Sequence, residues 1–490
     1  MSYSKKYFTI FASWMILISI VSCKKSFLTE EPRTVTIDGL INNPTNGAQR
    51  LIGSVYSKLY SWEVHSFSWN GISSITSDDA DKGGINGDTG VDKDKLDSWT
   101  FDANGLSFDE VWTGNFEGIG RAAYALKFFP TMNIPPAERD RYIGEAKLLR
   151  AYFYWNLIRI FGGVPKIDRV LESQEDLIAA STRATAEEIY AFMETDLEDA
   201  ILKLPVSISV SDRGRVSKGA AQALLAKVSL YQKKWSKAKS LCDALIASNQ
   251  YSLLNNYALL WREAGEFSSE SIWEVNAVGS TPNLGIEGYF VTQAPQGAGG
   301  LGWGFNSPSS NLYNAYEPGD LRRDATIMQR GQILWDGYPV SLSAPNQYYN
   351  YKSYVSKTQE TFNGEDWQSN KNLRIFRYGE ILLIKAEVEN ELNDTTASKV
   401  ALNKLRVRAG LQPVNAISQT IMRNTIYKER RVEMAMEHDR TFDLRRTGRA
   451  ASVLQALGIA YQSPKHDLFP IPQNQRNKSQ NRISQNFGYQ

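Results

Sequence analysis

Three glutamates near the C-terminus, Glu429, Glu433 and Glu437, recur every fourth residue, which places their carboxylates on one face of a helix. Two carboxylates about 5–9 Å apart are the acid and base of glycoside hydrolysis. A general acid, however, needs surroundings that raise its pKa. These three lie among Arg406, Arg408, Arg430, Arg440, Arg445 and Arg446, and nearby cations favour the ionised carboxylate. The pattern therefore reads as an ionic network knitting the terminal helices, with Asp443 and Arg440 in the turn. His438 sits between Glu437 and Asp439, but neither Gly-x-Ser-x-Gly nor His-Glu-x-x-His accompanies it. The expectation is a protein that is not an enzyme, with a surface glycosidase as the alternative.

Binding chemistry is better represented. Asp78, Asp79, Asp81, Asp88, Asp92 and Asp94 fall among Gly83, Gly84, Gly87 and Gly90. An oxygen-rich loop of this kind suits Ca²⁺, which takes about 6–8 oxygen ligands, although the spacing is not that of an EF-hand. It suits equally a solvated loop whose carboxylates accept hydrogen bonds from sugar hydroxyls. No other cofactor signature is present, and Gly297–Gly304 lacks the Lys-Ser/Thr ending of a phosphate loop. Trp69, Trp99, Trp303, Trp335 and Trp367 lie in segments rich in Gly, Asp, Ser and Asn, with Tyr289, Tyr313, Tyr348 and Tyr349 nearby. Aromatic faces accept the flat C–H face of a carbohydrate while polar side chains meet its hydroxyls. Trp303 and Trp69 are the leading ligand platforms, with Tyr289 beside them and Asp79 and Asp81 as polar partners.

These side chains need a scaffold, and helical periodicity supplies it over 47–260. Ala48 to Trp62 reads as a helix with Leu51, Ile52, Val55, Tyr56 and Leu59 on one stripe, followed by a ligand loop over 69–104. Pro136 opens a helix that runs to Phe161, where Gly162-Gly163-Val164-Pro165 stops it. Its second half is apolar all round, as in a helix buried among others. Residues 217–233 and 235–248 form a tetratricopeptide-like pair, in which small Ala226 and Ala238 permit close approach. Periodicity fades over 261–370, the irregular ligand-binding region. It returns over 371–490, with helices at 376–392, 397–409 and 417–437 and an extended tail.

The N-terminus gives the protein's address. Lys5 and Lys6 precede an apolar run from Tyr7 to Val21, and Ser22 precedes Cys23. This is the layout of a signal peptide, too short for the roughly 20 residues of a spanning helix. A small residue followed by Cys resembles a bacterial lipobox, so residues 1–22 are expected to be removed, Cys23 lipidated, and 23–46 left as an extended tether. The other cysteine, Cys242, falls in an apolar helical position and reads as core. With 55 Lys+Arg against 53 Asp+Glu, nothing in the net charge points to nucleic acid.

In this order the segments resemble the SusD/RagB family of outer-membrane nutrient-binding lipoproteins. The carriers are Cys23 with Phe27-Leu28 and Pro32; Ser77-Asp78-Asp79-Ala80; Glu145 to Tyr152 with Phe161-Gly162-Gly163-Val164-Pro165; and Gly214 to Ala220. Towards the C-terminus they are Arg377-Tyr378-Gly379-Glu380, Arg406 to Leu411, Glu429 to Glu433, Arg440 to Arg446 and Phe469-Pro470-Ile471-Pro472. The resemblance implies a mainly α fold, a tetratricopeptide-like scaffold of helical pairs carrying an irregular, loop-rich binding region. It also implies a cell-surface protein, lipid-anchored in the outer membrane and facing outwards. Such a protein captures oligosaccharide, or in some members peptide, and delivers it to a SusC-like TonB-dependent transporter. A pure protein-interaction scaffold is the third class left open.

Overall fold

The helices begin where local chemistry starts them. Thr185 accepts a hydrogen bond from the Glu188 amide while the Glu188 carboxylate reaches back to the Thr185 amide, a capping box that opens Ala186–Lys203. Ser217 caps Lys218–Tyr231, and Asp394 and Ser418 cap Thr395–Arg408 and Gln419–Met434. Pro136 occupies the first turn of Pro136–Phe161, and Gly162, at φ +71°, ends it. The structure, a computed structural model, describes residues 44–85, 87–278, 285–362, 368–415 and 418–490. Cys23, the signal segment, most of the tether and Trp367 lie outside the described residues.

Arg50–Gln490 forms one compact unit. Pro136–Phe161 packs against Leu106–Phe128 on one side and Ala186–Lys203 on the other. From Leu148 to Phe161 every residue is buried, as the all-round apolar pattern requires. Lys218–Tyr231 pairs with Trp235–Ala247, and Ala226, Ala238 and Cys242 are fully buried at that interface. The layer continues through Tyr378–Glu391, which contacts Trp235–Ala247, Thr395–Arg408 and Gln419–Met434. Leu382, Leu383, Leu402, Leu405, Met422 and Ile426 form its core, each contributing about 1.5–3 kcal/mol on burial. Among the described residues no helix is long and apolar enough to cross a membrane.

The segment 261–370 is stitched to both flanks by short antiparallel ribbons. Ala80–Gly83 pairs with Phe305–Pro308, and Ser271–Val275 pairs with Leu373–Arg377. The expected loop over 69–104 is instead mostly ordered structure. It holds Phe67–Asn70, a π-helical turn Gly71–Ile75, the strand Ala80–Gly83 and the helix Val91–Asp97. Ser73, Ser74, Ser77, Asp78 and Asp79 are buried, whereas Asp81, Asp94, Asp102 and Asn104 are exposed. At Asp78 and Asp79, polarity read as solvation is met by Arg440 and Arg431, distant in sequence.

An aromatic ledge and a buried ionic seam

Trp303 is 36% exposed and stands beside three other rings from separate elements. Its centroid lies 6.3 Å from Trp62, 6.4 Å from Phe67 and 6.4 Å from Phe305, and Phe67 and Phe305 are 4.6 Å apart. Trp62 starts the short helix Trp62–His65, Phe67 starts Phe67–Asn70, and Phe305 starts its strand. Two glycines allow the assembly. A Cβ on Gly302 would lie 2.1 Å from the Val291 carbonyl oxygen, where the Trp303 amide donates at 2.8 Å; one on Gly288, at φ +67°, would lie 2.4 Å from the Trp62 ring.

Charged groups border the rings. The Trp62 indole N–H donates to Glu110 at 3.2 Å and its amide to Glu287 at 3.2 Å. Lys93 Nζ lies 4.2 Å from the Phe67 centroid while donating to Ser107 at 2.8 Å and Asp92 at 3.0 Å. Lys82 Nζ lies 5.8 Å from the Phe305 centroid and bridges Asp88 and Asp94 at 2.8 Å each. Rings flanked by fixed carboxylates and ammonium groups suit a ligand with a flat C–H face and a hydroxyl edge. Among the described residues no three His, Cys, Asp or Glu side chains converge as a metal site would need.

The predicted ligand residues divide between this ledge and the interior. Trp303 is on the ledge. Asp81 is exposed on Ala80–Gly83, whose register sets it opposite Ser307 and sets Gly83 opposite Phe305. Trp69 is 4% exposed, tilted against Phe442 at 5.7 Å with the Arg159 guanidinium 5.5 Å from its ring. Tyr289 is buried edge-on to His438. Asp79 is buried and holds Arg431 at 2.7 Å. Packing encloses these three. Sequence reasoning missed Trp62, Phe67 and Phe305. Trp62 continues the apolar stripe of the preceding helix and so reads as core; the break at Ser61 turns it out.

The three glutamates form an ionic network in which the expected Arg406 and Arg408 are joined by Arg322, Arg377 and Lys352 from further afield. Glu429 pairs with Arg322 at 2.6 Å and Arg406 at 2.9 Å. Glu433 pairs with Arg408 at 2.5 Å, Arg377 at 2.6 Å and Arg322 at 3.0 Å. Glu437 pairs with Arg377 and Lys352, both at 2.7 Å. Arg322 and Lys352 belong to the irregular region, so the seam locks that region to the helices. Burial pushes Glu433 up, but Arg408, Arg377 and Arg322 overcome it and hold the carboxyl well below its usual range. That is the reverse of a general acid's environment. Asp78 holds Arg440 through two bonds at 2.7 and 2.8 Å. Burial pulls His438 down to about 3, with His65 adding to the effect.

Comparison with known proteins places these features in context. The SusD family model matches residues 269–489, and a model described as starch-binding associating with outer membrane matches residues 32–230. SusD-like protein P2 of Formosa agariphila is 27% identical over 99% of this chain and 100% of its own length. A laminarin-binding SusD-like protein superposes with a TM-score of 0.78 at 28% identity, covering 91% of this chain and 99% of that one. Surface glycan-binding protein A from Bacteroides thetaiotaomicron, solved in complex with laminarihexaose, gives 0.76 at 26% identity, covering 90% and 99%.

Proposed function

Because the chain belongs to the SusD/RagB family, we propose that it is a non-catalytic glycan-binding lipoprotein of the outer-membrane surface. It captures oligosaccharide on the ledge of Trp62, Phe67 and Trp303 and passes it to a SusC-like TonB-dependent transporter. The observation that carries this reading is the ledge itself, half-exposed rings held rigid by buried neighbours and bordered by charged hydrogen-bonding groups. Aromatic stacking fixes the orientation of a sugar ring, and the rim selects its hydroxyl pattern. Capture needs no cofactor. Lipid on Cys23 holds the body at the membrane, as two or more acyl chains anchor stably. The similarity to laminarin- and laminarihexaose-binding proteins makes a laminarin-type glucan the first ligand to try.

The test is isothermal titration of the detergent-solubilised chain against a polysaccharide panel that includes laminarin, with chromatography of the recovered glycan. Saturable binding with no shortened product is expected. Release of oligosaccharide products would establish a glycosidase instead, and unchanged affinity in Trp62→Ala/Trp303→Ala would remove the ledge from the binding site.

A further inference from the structure

A cleft of roughly 300 Å³ opens between the connector that follows Ala186–Lys203 and the strand Ser271–Val275. It shares no residue with the ledge. Ser271, Ile272, Trp273 and Glu274 all line it. Successive side chains of a strand point to opposite faces, so four consecutive lining residues put the cleft along the strand's edge. That edge is free among the described residues, because Ser271–Val275 pairs only with Leu373–Arg377. The opposite wall is the irregular connector from Val206 to Val210, whose last residue opens the 3-10 turn Val210–Asp212. The two walls meet where a Cβ on Gly214 would lie 2.6 Å from Asn276.

The lining combines ring faces with groups that both donate and accept hydrogen bonds. Phe267 and Tyr251 are half-buried there. Phe267 is held at φ +52°, a conformation that a bulky residue keeps only where its surroundings impose it. The Arg213 guanidinium sits 5.3 Å from the Phe267 centroid and has no carboxylate partner among the described residues. Gln250 and Ser207 are exposed at the mouth. Two polar groups in the wall, Ser268 Oγ and Trp273 Nε1–H, find no partner among the described residues.

We propose that this cleft is a second saccharide-binding site, which takes a short stretch of the same glycan that the ledge captures. The inference rests on the glycan-binding reading above. A ring face against Phe267 and Tyr251, hydroxyls against Ser207 and Gln250, and the guanidinium of Arg213 together fit a hydroxylated ring. The volume is at the lower end of ligand pockets, which run from about 300 to 1,000 Å³, and so admits the end of a chain rather than a long segment. Two separate sites on one rigid body make the second contact with a polysaccharide intramolecular, which raises avidity without any new contact at the ledge.

The experiment places an environment-sensitive dye on Ser207→Cys in the detergent-solubilised full chain carrying Cys23→Ser; Cys242 is buried and stays unlabelled. The probes are laminarihexaose, maltohexaose, cellohexaose, xylohexaose and the blocked peptide acetyl-Val-Thr-Val-Thr-amide. At least one hexasaccharide is expected to shift the dye in the Trp62→Ala/Trp303→Ala background, with at least tenfold weaker response after Phe267→Ala. In unlabelled protein, Ser207→Trp, which fills the mouth without removing packing, is expected to lower the stoichiometry from two to one. Silence of the dye towards all four sugars, a response to the peptide alone, or a response unmoved by Phe267→Ala overturns the proposal. If the ledge reading fails while this one stands, Trp62→Ala/Trp303→Ala leaves the isotherm intact and Phe267→Ala weakens it.

Discussion

Trp69 and Trp303 occupy similar sequence, each among Gly, Ser and Asn, yet the fold gives them opposite work. Trp69 is closed in by Phe442 and Arg159, a ring and a cation from helices far along the chain. Trp303 meets three rings but keeps a third of its surface open. Both stand near aromatic rings and paired cations; what differs is whether the ring itself stays open to solvent. Arg159, over Trp69, is paired with Asp439 at 3.0 Å. Lys93 and Lys82, beside the ledge rings, are likewise buried and paired, with Asp92 and with Asp88 and Asp94, and it is Trp303 that keeps an open face for a ligand.

The largest effects should come from the buried side of this comparison. Trp69→Ala is expected to destabilise by about 3–5 kcal/mol, the usual cost of truncating a large buried ring, while the molecules that remain folded keep their ligand affinity. Urea unfolding paired with titration would check this, and lost affinity in folded protein would put Trp69 on the ledge after all. Glu433→Ala should cost about 3–5 kcal/mol, because it leaves the buried guanidinium groups of Arg377 and Arg322 undercompensated. A loss below about 1 kcal/mol would show that the seam contributes little.

Acid should reach the same side. Burial holds His65 and His466 down to about 4 and His438 to about 3, so these groups are neutral when folded and take up protons when unfolded. Stability is therefore full above about pH 6.5 and falls as pH drops towards 4, by up to about 1.4 kcal/mol per pH unit for each histidine. Denaturation midpoints at pH 7.0, 5.5 and 4.5 measure the slope, and His65→Gln/His438→Gln should flatten it.

Smaller changes in stability are expected at the ledge. Trp303→Ala should weaken glycan binding tenfold or more, which corresponds to about 1.4 kcal/mol, with thermal unfolding shifted little. Cys23→Ala should leave affinity in solution unchanged while membrane attachment is lost, readable by fractionating cells and titrating the released protein. Retained membrane attachment would dismiss the lipid anchor.

Much of the scaffold is legible in the sequence because helices are local. Pro136, the capping Thr185 and Ser217, and the stop at Gly162 fix element ends within a residue or two of those observed. The ionic seam is half legible. The i, i+4 glutamates declare a shared face, but their partners Arg322, Lys352 and Arg377 lie far away in sequence and carry no local mark. The ledge is the least legible. Whether a tryptophan faces inward depends on long-range ring contacts, so Trp69 and Trp303 look alike until Phe442 and Phe305 are placed. Trp62, masked by the apolar stripe before it, gives no sign of its role.

The Trp62 amide reaches Glu287 across a separation of 225 residues, and Phe305 is held by a ribbon whose other strand begins at Ala80. Neither half of the chain contains a ledge by itself. Contacts so distant in sequence are late and slow to form. If the ledge is where glycan binds, affinity is a certificate of completed folding: a half-assembled chain lacks the ledge, and the finished molecule has it.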